Sequence, residues 1–126
     1  MNECFRALDI RLPLQPTWFS EWKRVARPAY GLLHAAFAFS LMVRYFDHFA
    51  RISARDTTTH RYCATRLRRE HRVLARMEAD VREAAALVPD ERLRSVILGQ
   101  LELALDSSGP GGANDPARRQ ERSITV

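Results

Sequence analysis

Three sets of residues in this chain could do chemistry: four histidines, two cysteines and a dense run of arginines. Imidazoles bind metals or move protons near neutral pH. A helical metal site needs a second ligand three or four residues along the same face. His34, His48, His60 and His71 are each followed at those distances by something other than a histidine or carboxylate. Asp47 and His48 are adjacent, and adjacent residues point to different sides of a helix. His60 and Cys63 have the spacing of a base and a nucleophile. Cys63, however, falls on an apolar seam, where a thiol is an inert small hydrophobe. Cys4 and Cys63 show neither CxxC nor metal spacing, as expected of two reduced thiols in a cytosolic protein. These patterns supply no catalytic residue, metal ligand or cofactor site.

The arginines are more informative. Residues 61 to 76 carry Arg61, Arg66, Arg68, Arg69, Arg72 and Arg76 against a single acid, Glu70. At ~100° per helical residue, Arg61, Arg68, Arg69, Arg72 and Arg76 fall within about a third of the circumference. Such a stripe suits a nucleic-acid backbone or an acidic protein. It equally suits a solvated face, since Arg66–Glu70, Arg76–Asp80 and Glu78–Arg82 are i,i+4 pairs that offset the charge. Base reading also calls for aromatics or Asn/Gln nearby, and Tyr62 alone is close. Nineteen arginines against one lysine, Lys23, fit either GC-rich codon usage or selection for the guanidinium fork. The net charge of +5 and pI near 10 favour acidic partners.

The stretch from Tyr62 to Val81 faintly resembles the helical, haem-oxygenase-like iron and pyrroloquinoline-type proteins. Their metal helix carries His-x-x-Glu-Glu-x-x-His before an Asp-Leu pair. With Glu70 on the second Glu, Asp80-Val81 falls on that pair. Arg66, Arg69 and Val73 then stand where the other three ligands would be. The resemblance therefore implies no metal site here.

The element that must position the arginines is a long amphipathic helix over Thr57–Val88. Leu67, Leu74, Val81 and Val88 recur every seven residues, and Cys63, Glu70, Met77 and Ala84 fill the intermediate heptad position. Asp56-Thr57-Thr58-Thr59 offers capping oxygens at its start. Pro89-Asp90-Glu91 ends it and opens a fourth helix with the stripe Leu93, Val96, Ile97, Leu101, Ala104 and Leu105. The two should form an antiparallel hairpin.

Upstream, Ala29 to Ser53 reads as the most hydrophobic helix. Tyr30–Val43 is apolar except for Gly31, His34 and Ser40. The sixteen residues between Arg27 and Arg44 make ~24 Å of helix, short of the ~30 Å bilayer core. A central core helix is the expectation, and a membrane anchor over Ala29–Val43 the alternative. Thr17 could cap a short helix from Trp18 to Ala26, burying Trp18, Phe19, Trp22 and Val25, with a break at Pro28. Residues 1 to 16 read as irregular. From Ser107 the Ser/Gly/Pro composition cannot build a core. The first fifteen residues hold Glu3 and Asp9 and no apolar run, so a secretory signal is not expected.

Together these features predict an all-α protein: a small bundle of about four helices containing a long amphipathic helical hairpin. A single helical domain would span 1–106, with a disordered tail over 107–126. Nine aromatics lie between Trp18 and Phe49, more than so small an interior can hold, and the surplus would form a protein interface. The expected function is a non-enzymatic interaction or assembly module in the cytoplasm. Its candidate interface is Trp18, Trp22, Leu67, Leu74 and Val81, and its partner a protein or a second copy of itself. Nucleic acid, bound by Arg61, Arg68, Arg69, Arg72 and Arg76, is the alternative partner, and a membrane the third.

Overall fold

A computed structural model describes residues 2–107. In order, the elements are α1 (Asn2–Ala7), β1 (Thr17–Ser20), β2 (Val25–Pro28), α2 (Ala29–Ile52), α3 (Thr58–Ala85) and α4 (Glu91–Asp106). The protein is an all-α bundle carrying one small two-stranded sheet. The tail expected over 107–126 lies, except for Ser107, outside the described residues.

Helix α3 is amphipathic as its heptads require. Its buried face runs through Cys63, Leu67, Glu70, Leu74, Met77, Val81 and Ala84. The Thr57 side chain accepts from the His60 amide (3.2 Å), and Asp90 Oδ1 from the Leu93 amide (2.8 Å), so α3 and α4 each begin on a side-chain cap. Arg94 donates to the Val88 carbonyl at 2.8 Å and ties down the turn between them. Helix α2 begins directly at Pro28 with no side-chain cap. Proline suits a helix start, where its missing N–H would have had no partner.

The seam of α3 has α2 as its principal partner, with α4 packed against both. Leu32, Leu33 and Val43 of α2, Leu74 and Val81 of α3, and Ile97 and Leu101 of α4 are buried together. Each contributes roughly 1.5–3 kcal/mol by leaving water. The expected α3–α4 hairpin is present, but it is the smaller half of α3's packing. The larger half belongs to α2, whose apolar residues form the broader surface. Leu67, Leu74 and Val81 are thus buried within their own chain. The seam is occupied by α2 and α4, and as an outward interface these three residues are revised.

The segment expected as a Trp18–Ala26 helix is instead an antiparallel hairpin, pairing Thr17 with Pro28 and Ser20 with Val25. Three local facts favour strands. Thr, Trp, Phe and Val suit a pleated, half-buried surface. Arg27 precedes a proline and is pushed toward extended backbone. Arg24 adopts a left-handed φ of 59° and its amide returns to the Ser20 carbonyl at 2.7 Å, closing a four-residue loop. In β1 burial then alternates with period two. Trp18 is 8% exposed and Ser20 fully buried, while Phe19 is 54% exposed and Val25 is also exposed.

Residues 2 to 7, read as irregular, form α1. Its end is a Schellman motif built on Asp9, with φ 51°. The Ile10 amide donates to the Phe5 carbonyl (2.8 Å) and the Asp9 amide to the Arg6 carbonyl (3.1 Å). Glycine is the usual residue there, so the aspartate conceals the signal. Phe5 anchors the helix edge-on against Tyr30, with ring centroids 5.3 Å apart.

Candidate interaction surfaces

Two histidines hold helix ends. His60 Nδ1 donates to the Ala50 carbonyl at 2.9 Å, and His71 Nε2 to the Leu105 carbonyl at 2.7 Å. A carbonyl oxygen only accepts, so each contact places the proton on that ring nitrogen. Ala50 and Leu105 lie in the last turns of α2 and α4, where carbonyls lack helical partners. Both imidazoles on α3 therefore bridge it to a neighbouring helix. Cys63 is a buried free thiol and Cys4 an exposed one. His34 and His48 are exposed on α2. Among the described residues, no group of three or more His, Cys, Asp or Glu is placed to hold a metal ion.

The five stripe arginines, Arg61, Arg68, Arg69, Arg72 and Arg76, all lie exposed on the side of α3 away from its buried face. Arg76 reaches Glu21 in the hairpin loop at 3.0 Å rather than Asp80. Arg68 reaches the Thr65 hydroxyl at 3.4 Å. Arg61, Arg69 and Arg72 make no ion pair among the described residues. Arg66 is different: it turns inward and meets buried Glu70 at 3.2 Å. Its guanidinium lies 5.1 Å from the Phe46 ring centroid and donates to the Tyr62 hydroxyl at 3.1 Å. The charged group is thus paired, hydrogen-bonded and stacked on an aromatic face. The Glu78–Arg82 pair also forms, at 3.0 Å.

The outer side of α2 is apolar. Leu41, Tyr45 and Ile52 are 45%, 56% and 63% exposed. At ~100° per residue they share one line with His34, Ala38 and His48. That line is opposite the buried Leu32, Ala36, Val43 and Ala50. Partly exposed Phe37 and Phe49 flank it. Ring contacts order the strip: Tyr45 against Phe49 at 4.5 Å, His48 against Phe49 at 5.2 Å, and Tyr30 against His34 at 6.3 Å. Arg44, on its edge, donates to Gln100 of α4 at 2.7 Å.

The candidate interface is thereby relocated. Trp18 is in the core, and Trp22 stacks on Phe39 at 5.2 Å with ring planes 9° apart. Leu41, Tyr45 and Ile52 give α2 an exposed apolar line instead. The signal for them was in the sequence, since a helix apolar around most of its circumference has more hydrophobic surface than one core can cover. An open cavity of about 450 Å³ lies apart, lined by Phe5, Arg6, Asp9, Ile10, Arg11 and Tyr30.

Fold and surface together define a small all-α protein with an N-terminal hairpin, one apolar and one arginine-rich outer helix face. No family model, curated protein or solved structure matches the chain.

Proposed function

We propose that the protein is a non-enzymatic helical interaction module, an adaptor or small subunit of a larger assembly, which binds a protein through the outer strip of α2. The observation that carries this reading is the exposure of Leu41, Tyr45 and Ile52 along one line of a well-packed helix. Aromatic and aliphatic side chains held in order by their neighbours lose little entropy on docking, which favours recognition. An uncharged centre with charged residues at the edge is the usual anatomy of an interface. The test is a photo-crosslinking amino acid placed at Tyr45 in cells, with Arg72 as the comparison site. A discrete protein adduct from position 45 supports the reading. Its absence, or the same adducts from both positions, sinks it.

A second reading, nucleic acid on the arginine face, is favoured by Arg61, Arg69 and Arg72 having no acidic partner among the described residues. It predicts retention on a phosphate column with a steep salt slope, lost on reversing those three charges to glutamate. Salt-insensitive retention counts against it. Helix α2 is long and apolar enough to cross a membrane by length and composition alone. Inserting it would detach Leu32, Leu33, Ala36 and Val43 from the core, so the membrane reading is the least supported.

A further inference from the structure

The outer strip of α2 is self-complementary. Leu41 lies at its centre. Phe37 and Tyr45 stand four residues to either side, His34 and His48 seven, Tyr30 and Ile52 eleven. Offsets of four, seven and eleven all return to one helix face. A two-fold axis through Leu41, with a second α2 running antiparallel, sets each residue against the one at the mirrored offset. Leu41 then meets Leu41, Phe37 meets Tyr45, His34 meets His48, and Tyr30 meets Ile52. An isologous interface requires this reciprocity, with i on j and j on i. The pairs match in kind as well. Aromatic faces aromatic at Phe37–Tyr45, leucine faces leucine on the axis, one apolar side chain faces another at Tyr30–Ile52, and a neutral imidazole, being both donor and acceptor, can satisfy its counterpart.

The charges agree with this register. The centre line of the strip from His34 to His48 holds no Asp, Glu, Lys or Arg. Arg44 on the edge is held by Gln100, and Arg51 pairs with Asp47 at 3.1 Å. The strip is ~33 Å long at ~1.5 Å per residue, enough for matched pairs along six turns. Residues 107–126 supply only Ala113, Ala117, Ile124 and Val126 as apolar side chains, too few to cover it.

We infer that the partner on this strip is a second copy of the chain, docked α2 to α2, antiparallel, about a two-fold axis at Leu41. This rests on the strip being a binding surface and names its occupant. The test uses full-length protein with Cys4→Ser, so that buried Cys63 is the one native thiol left. Under mild oxidation Leu41→Cys should give a covalent dimer, because a residue on the axis meets itself within disulfide reach. His34→Cys alone and His48→Cys alone should not, whereas the two variants co-expressed should crosslink to each other. Leu41→Glu and Tyr45→Glu, both at exposed positions, should keep the far-ultraviolet circular dichroism and raise the dimer dissociation constant at least about tenfold. A monomeric wild type, a dimer indifferent to both glutamates, or failure of Leu41→Cys to crosslink overturns the inference. So does self-crosslinking of His34→Cys, which would mark a parallel pair. If the photo-crosslinker at position 45 captures a different protein, the strip remains a binding surface and the second copy is wrong.

Discussion

Helices α2 and α3 lie side by side along the same interface, yet their outward faces are chemical opposites. Helix α3 shows water a row of guanidinium groups, and α2 shows it leucine, tyrosine and isoleucine. Solvated arginines need no partner, so the fold alone accounts for that face. Apolar surface left in water forgoes roughly 25 cal/mol per Å², and nothing inside the monomer recovers it. The asymmetry directs the functional reading to α2.

Breaking the shared inner interface should have the largest effect. Leu74 is fully buried on the α3 seam, and Leu74→Ala should cost about 2–5 kcal/mol, seen as a lower urea midpoint with an unchanged slope. A shift below ~0.5 kcal/mol would mean that the seam does not hold the two helices together. Next comes the polar inclusion at that interface. Glu70→Gln removes the carboxylate facing Arg66 and should cost about 1–3 kcal/mol, because the half-buried guanidinium loses its counter-charge. Double-mutant cycles with Arg66→Met would show whether the loss belongs to the pair.

A smaller effect separates how the helices are held. Thr57→Ala and Asp90→Ala each remove a capping acceptor and should cost ~1 kcal/mol. Helix α2 has no such cap to lose and depends on packing. Thermal melts of the two variants test this, and no change in either would discount the caps. Smallest in stability, and sharpest for the comparison, are the outer faces. Tyr45→Ser and Arg69→Glu should each alter folding by less than ~0.5 kcal/mol. Tyr45→Ser should weaken salt-insensitive association, less than Tyr45→Glu does, whereas Arg69→Glu should change only salt-dependent retention. Light scattering and a phosphate column at low and high salt read the two apart.

Local signals marked the helices well. Threonine and aspartate oxygens marked the start of α3, Pro89 and the acids after it the start of α4, and Pro28 the start of α2, because caps, prolines and helix-dipole charges act within a turn of where they sit. Period 3.6 showed that Glu70 shares a face with Leu67 and Leu74. The β1–β2 hairpin is not legible in the same way, because Trp18, Phe19, Trp22 and Val25 fit a helical face and an alternating strand about equally over so few residues. A segment that short draws its conformation from what it packs on. Helix α1 is hidden in the sequence because an aspartate, Asp9, takes the left-handed position at its end.

The sequence by itself determined the class of fold, the three long helices, the apolar seam along α3 and the outward direction of the arginines. Each is a matter of periodicity along one chain, and periodicity is local. Only the tertiary structure decided that α2 rather than α4 takes most of that seam, that Trp18 is core while Phe19 is not, and that Leu41, Tyr45 and Ile52 are left facing water. Those outcomes depend on which apolar faces meet first choice among several possible partners, and a helix that is apolar nearly all round does not reveal its uncovered side until its neighbours are in place.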